Sequence, residues 1–170
     1  MARFGGVFEA SPWIAREAWE DRPFGSVERL HAAMLWVVEH APRSARLELI
    51  RAHPDLAGKA AIAGALTPES TREQAAAGLA RLTPQQHERL TGLTAAYRER
   101  FGFPFVVCAR EHTADSIIAA AASRLEADPA KEEQTALAEI AKIARLRLDD
   151  IVEESRDDGR SRRRRGGSGP

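Results

Sequence analysis

Three groups of residues in this chain carry side chains suited to proton transfer and anion binding. The first is His53, which directly precedes Pro54. A residue before proline is steered away from the α conformation, so the helix predicted over 45–51 should end at or near His53. Pro54 can then begin a new turn, where its missing N–H costs nothing. The imidazole can face a cleft from this break, or it can be a core histidine with one hydrogen bond, and this stretch alone favours neither.

The second group is Ser70, Glu73 and Gln74. Ser70-x-x-Glu73 fits a capping box, in which each side chain accepts a hydrogen bond from the backbone N–H of the other residue. Taken alone, capping is the favoured explanation for Ser70 and Glu73.

The third group is Arg147, on the predicted last helix. On a helical wheel of 100° per residue it falls inside the apolar arc that contains Ile140, Ile143 and Leu148. An arginine in such an arc usually pairs with a carboxylate or extends its head to solvent. It can instead bind an anionic ligand with its planar donors, so both interpretations stay open.

The elements that must position these groups are all helical. Apolar spacing, proline starts and glycine ends predict an all-α domain of about seven to eight helices over residues 1–154. The only strand-like run is Phe103–Ala109, which contains Pro104 and has no second strand with which to pair. We expect a buried extended loop whose backbone groups a polar ligand can partly satisfy. Within it, Cys108 is expected to be a small buried residue rather than a nucleophile.

Composition excludes several other classes of protein. The 25 basic and 25 acidic residues balance, but 155–170 holds six arginines and two aspartates. We predict that 155–170 is a disordered tail, and the mildly acidic body argues against a specific nucleic-acid partner. One cysteine excludes an internal disulfide and a cysteine-based zinc site. No apolar run is long enough for a membrane span and no signal pattern is present, which predicts a cytoplasmic protein.

Five blocks of the sequence, in this order, resemble one family. They are Arg22-Pro23-Phe24, His53-Pro54-Asp55-Leu56-Ala57, Ser70-x-x-Glu73-Gln74-x-x-Ala77-Gly78-Leu79, Phe101-Gly102-Phe103-Pro104-Phe105 and Ile143-Ala144-x-Leu146-Arg147-Leu148. Together they look like the signature of the OHCU decarboxylase family (2-oxo-4-hydroxy-4-carboxy-5-ureidoimidazoline decarboxylase) of uric acid degradation. The resemblance covers about residues 4–152. Ser11 stands where the family commonly has a cysteine, and the basic tail lies outside the pattern.

The resemblance implies an all-α, cofactor-free and metal-free enzyme that converts OHCU to (S)-allantoin and CO2. It also implies a homodimer. Carried over position by position, His53 and Glu73 would be the catalytic pair. The residues that would bind substrate are Pro54, Ser70, Gln74, Phe105, Val107 and Arg147, with Phe105 and Val107 acting through the backbone of the extended loop.

Two other functions agree with parts of the pattern. A metal-dependent hydrolase could use His53, Asp55 and Glu73, although the other histidines show no paired-ligand spacing. A non-catalytic helical interaction domain would have His53, Glu73 and Arg147 as purely structural residues.

Overall fold

The computed structural model describes residues 4–56 and 66–165, with side chains described up to Ser155. Within these residues the chain forms seven α-helices and no strand, so the all-α prediction is confirmed. The helices are α1 (Pro12–Ala18), α2 (Val27–His40), α3 (Arg43–Arg51), α4 (Pro68–Ala76), α5 (Pro84–Phe101), α6 (Ala114–Arg124) and α7 (Pro129–Arg165). Short 3-10 turns occupy Trp19–Asp21, Leu79–Arg81 and Ala109–Glu111.

The helix starts follow from local chemistry. Thr83 caps α5 in a capping box with Gln86, and Thr113 caps α6 in the same way with Ser116. At the start of α7, the Asp128 carboxylate accepts hydrogen bonds from the backbone N–H groups of the first turn. Such caps satisfy N–H groups that the first turn of a helix leaves without a partner.

Helix ends also follow the sequence. Gly102 follows α5 at φ 75°, a left-handed conformation that glycine adopts without strain. α7, however, runs to Arg165 and so enters the segment 155–170, which we predicted to be disordered. Arginine is abundant there and is a good helix former. Residues 166–170 of the predicted tail lie outside the described residues.

The chain divides into two compact units, and α7 contributes to both. The first unit contains residues 1–40 and 143–170, and in it α1 packs against α2. Its core includes Ile14, Met34 and Leu148, all almost completely buried. No helix among the described residues has both the length and the apolar character needed to cross a bilayer.

The second unit contains residues 41–142 and carries most of the predicted site. In it α5 packs against α6, and α4 packs against the 3-10 turn Ala109–Glu111. Tyr97 lies at the centre of its core with no exposed surface, and packs edge-on against Phe103 and Phe105 at ring separations of 5.9 and 5.3 Å. The loop that precedes the 3-10 turn is therefore anchored in the core by its aromatic side chains.

Candidate active site

His53 lies just past the end of α3, as its position before proline predicted. Its backbone N–H donates to the Ile50 carbonyl over 3.2 Å, and its ring Nδ1 lies 3.0 Å from the Leu49 carbonyl oxygen. A carbonyl oxygen only accepts hydrogen bonds, so Nδ1 carries the proton and Nε2 holds the lone pair of the neutral ring. The side chain is 6% exposed. The helix end therefore fixes both the orientation and the tautomer of the imidazole.

Two arginines tie this break to the far end of α5. Arg51 Nε donates to the Gly102 carbonyl over 3.1 Å, and Arg98 donates to the Asp55 carboxylate over 2.8 Å. His53 lies between the two tied positions, so both sides of the break are held. Asp55 is paired with an arginine here rather than grouped with His53. Among the described residues, no three histidine, cysteine or acidic side chains are grouped as metal ligands.

Pro54 follows as a partly exposed residue outside any helix, and Leu56 is buried. The remainder of this stretch, 57–65, lies outside the described residues. The family block around His53 is thus described up to Leu56.

The capping prediction for α4 is wrong. The helix begins at Pro68, and Thr67 is its cap, accepting a hydrogen bond from the Ser70 backbone N–H over 3.2 Å. Thr67 rather than Ser70 caps the helix because the residue after Thr67 is proline, whose fixed φ suits the first helical position. Ser70 therefore lies inside the first turn rather than at the cap, so Ser70 and Glu73 do not form the capping box of this helix.

Ser70 and Gln74 lie one turn apart on the same face of α4, and both are buried, at 4% and 7% exposure. Buried hydroxyl and amide groups on one helix face are suited to hydrogen bonding of a polar ring. Glu73 is partly exposed. α4 thus presents two buried polar groups with a carboxylate beside them.

Glu73 also lies close enough to the extended loop to affect it. Burial, together with the nearby carboxylates of Glu111, Glu139 and Glu73, raises the pKa of the Cys108 thiol to about 11. α4 packs against the 3-10 turn that directly follows Cys108. The structure therefore brings Glu73 and the predicted binding loop together.

The loop itself is as predicted. Residues 104–108 form no helix, turn or strand, and Phe103 to Ala109 are all buried. Two residues that the sequence did not point to hold its backbone. Arg124 donates to the Val106 carbonyl over 2.8 Å, and the Cys108 N–H donates to the Glu139 carboxylate over 2.7 Å. Only their charges at helical positions were visible in the sequence, and these do not indicate a loop partner.

Arg147 belongs to the first unit, whereas the other predicted site residues belong to the second. It is 4% exposed and donates through one terminal nitrogen to the Glu9 carboxylate over 3.0 Å and to the Gly6 carbonyl over 3.3 Å. Its pairing with a carboxylate, one of the two interpretations, is confirmed.

The first unit also contains a cavity of about 870 Å³. Its described lining has no histidine or carboxylate, so it offers no group that exchanges protons near neutral pH. None of the predicted site residues lines it. The lining residues are Phe4, Trp19, Arg22, Pro23, Phe24, Gly25, Ser26, Val27, Leu30 and Val152.

The described residues thus form an all-α protein in which a histidine of fixed tautomer, and a polar helix face packed beside a loop, are the groups suited to proton transfer on a small molecule. A family model described as OHCU decarboxylase matches residues 1–149. A relative from Mus musculus, named 2-oxo-4-hydroxy-4-carboxy-5-ureidoimidazoline decarboxylase, is 44% identical over 149 residues, covering 88% of this chain and 84% of that one. One of the same name from Halalkalicoccus jeotgali is 42% identical over 148 residues, covering 87% and 82%. The chain belongs to the OHCU decarboxylase family.

Solved structures agree with this assignment. A crystal structure of (S)-allantoin synthase has a TM-score of 0.70 and 30% identity, over 88% of this chain and 48% of that one. A crystal structure of an OHCU decarboxylase in the presence of (S)-allantoin has a TM-score of 0.72 over 88% of this chain and 96% of that one. At 23% identity, this second likeness shows the fold.

Proposed function

We propose that this protein decarboxylates OHCU to (S)-allantoin and CO2 in urate catabolism. The observation that carries the proposal is membership of the family across residues 1–149, a range that includes every predicted site residue. The fixed, buried imidazole of His53 supports it independently of the family, because stereospecific protonation needs a donor held in one orientation.

The reaction needs three things from the protein. Breaking the bond between the ring carbon and its carboxylate releases CO2 and leaves the electron pair on the ring, delocalised into the neighbouring C=N or C=O. One proton must then reach one face of that carbon. The protein must hold the departing carboxylate, stabilise the developing charge and deliver that proton.

We assign the proton transfer to the pair His53 and Glu73. Histidine donates and accepts protons near neutral pH. Because Nδ1 is bound to the Leu49 carbonyl, Nε2 is the ring atom that exchanges the proton. On the family resemblance we place the Glu73 carboxylate beside this ring, because a neighbouring carboxylate favours an imidazolium.

The other predicted residues bind the substrate. Ser70 and Gln74 offer buried hydrogen-bonding groups to the ring, and Pro54 lies next to His53. The backbone groups of Phe105 and Val107 contact the ring from the loop. Arg147 offers planar donors for carboxylate or ureido oxygens. This last role rests on the family resemblance, and it adds to the pairing of Arg147 with Glu9.

The test is to generate OHCU from urate enzymatically and to follow optically active allantoin by circular dichroism. We expect the protein to accelerate the loss of OHCU and to give an excess of the (S) enantiomer, with full activity after treatment with a chelator. A racemic product formed at the spontaneous rate would refute the proposal. Activity that is lost with the chelator and restored by a metal ion would favour a metal-dependent enzyme.

We also propose a cytoplasmic homodimer. The family resemblance supports the dimer, and a chain with one cysteine, which excludes an internal disulfide, is typical of a reducing compartment. Sedimentation equilibrium should give twice the chain mass of 18.6 kDa. A sedimenting species of one chain mass at micromolar concentration would contradict the dimer.

A further inference from the structure

The loop Phe103–Ala109 is held from one side by two charged side chains. Arg124 binds the carbonyl of Val106, and Glu139 binds the N–H of Cys108, two residues further on. In an extended chain, the polar backbone groups of successive residues point to opposite sides. Phe105 and Val107 alternate with the two held residues, so an extended loop would present their backbone groups on the side away from Arg124 and Glu139.

Arg124 is itself fixed by a buried network. Its Nε donates to the Glu132 carboxylate over 2.8 Å, and the Tyr97 hydroxyl donates to the same carboxylate oxygen. Glu132 and Tyr97 are 1% and 0% exposed, and the guanidinium lies 4.7 Å over the Phe105 ring. A fully partnered polar network of this kind specifies a single arrangement of its members. The hydrogen bond from Arg124 to the Val106 carbonyl is therefore held in one geometry.

Glu139 is fixed by a second set of contacts. One carboxylate oxygen accepts from the Cys108 N–H, and the other accepts from Lys142 over 2.8 Å. Burial opposes ionisation, but these two hydrogen bonds hold the pKa of Glu139 below its usual value. The carboxylate is therefore charged at neutral pH, and its hydrogen bond to the loop is charge-assisted.

We infer that Arg124 and Glu139 are positioning residues for the decarboxylation, which set the loop so that the backbone groups of Phe105 and Val107 meet the substrate ring. The inference rests on the proposed function. Two residues outside the five family blocks therefore affect the KM for OHCU. They touch the loop and need not touch the substrate.

The test combines steady-state kinetics with amide hydrogen exchange of the loop. Glu139→Ala should accelerate exchange of the Cys108 amide at least about tenfold and raise KM about tenfold, with kcat within about twofold. Binding that is equal in the ground and transition states appears in KM alone. Glu139→Gln keeps an oxygen that accepts from the Cys108 N–H, and it should restore KM to within about twofold. Arg124→Lys keeps the charge but loses the planar fork, and it should raise KM similarly.

Arg145→Met is the matched control, because it removes ion pairs of the same helix, to Asp149 and Glu28, that lie outside the loop. Its KM should stay within about twofold of wild type. An unchanged KM in Glu139→Ala despite rapid Cys108 exchange would overturn the inference, and so would slow exchange in that variant. Failure of the proposed function shows separately, as no stereospecific turnover by a wild-type protein whose Cys108 amide is protected.

Discussion

The backbone N–H of Ser70 donates to the hydroxyl oxygen of Thr67 over 3.2 Å, so Thr67 is the residue that begins α4. The residue that caps this helix is therefore different from the residues that we propose to bind substrate. The cap lies at Thr67, before Pro68, whereas the buried polar groups of Ser70 and Gln74 lie further along the helix. A variant can therefore damage either property alone.

Glu73→Ala should lower kcat/KM at least about 100-fold, because it removes one member of the proton-transfer pair. The free energy of unfolding should change by less than about 0.5 kcal/mol, since Glu73 does not cap the helix. Thr67→Ala is the matched control. It should lower the free energy of unfolding by about 1 kcal/mol, with activity per folded molecule retained. Urea denaturation and initial rates measure both quantities, and the reverse pattern would restore the capping explanation.

His53→Ala should lower kcat by a factor on the order of 10²–10⁴, the range that a lost general acid or base produces. Helicity and melting should stay close to wild type. His40 provides an internal control, because its Nδ1 lies 2.8 Å from the carbonyl four residues earlier, in the same local arrangement, but on an exposed surface. His40→Ala should leave kcat unchanged. Equal losses of activity in both variants would remove His53 from the mechanism.

Glu9→Ala should lower the free energy of unfolding by about 3–5 kcal/mol, because it leaves the buried guanidinium of Arg147 without its carboxylate. Arg147 and Glu9 are 4% and 7% exposed. Glu28→Ala, which breaks an exposed pair with Arg145, is the comparison and should change stability far less. Denaturant titrations followed by circular dichroism give both values. A similar effect for the two variants would mean that burial of the Arg147 pair contributes nothing.

Cys108 should react slowly with thiol reagents in the folded protein. Burial and the surrounding carboxylates raise its pKa to about 11, so the thiol is protonated at pH 8. The thiolate is the reactive species, and it should form only as pH approaches that value. The rate of reaction with iodoacetamide, measured from pH 7 to 10 in buffer and in urea, checks this. Rapid labelling of the native protein at pH 8 would contradict it.

The boundaries of the helices could be predicted because the signals that set them are local. Thr83-Pro84 and Gly102 start and end α5 as the sequence indicated. The same reasoning erred at α4, where two capping patterns overlap within a few residues. Thr67-Pro68 carries a pre-set backbone angle in addition to a side-chain acceptor, whereas Ser70-x-x-Glu73 offers only the side chains.

The partners of the site residues could not be predicted, because they are distant in sequence. Glu9 meets Arg147 from the opposite end of the chain, and nothing near either residue indicates the other. Arg124 and Glu139 contact the loop from helices whose charged positions look like ordinary solvated faces. Packing of the folded chain decides such pairs, whereas the pattern of a single helix does not.

The partner that sets the proton arrangement of the His53 ring is a main-chain oxygen. A volume-conserving substitution such as Leu49→Met leaves that oxygen in place and should retain activity, whereas substitutions of His53 should not. Where a carboxylate orients a histidine ring, mutation of the carboxylate removes that contact, whereas a substitution of Leu49 keeps the main-chain oxygen that Nδ1 contacts. The tautomer of His53 therefore depends on the backbone at the end of α3, and a change that moves the Leu49 carbonyl would alter it.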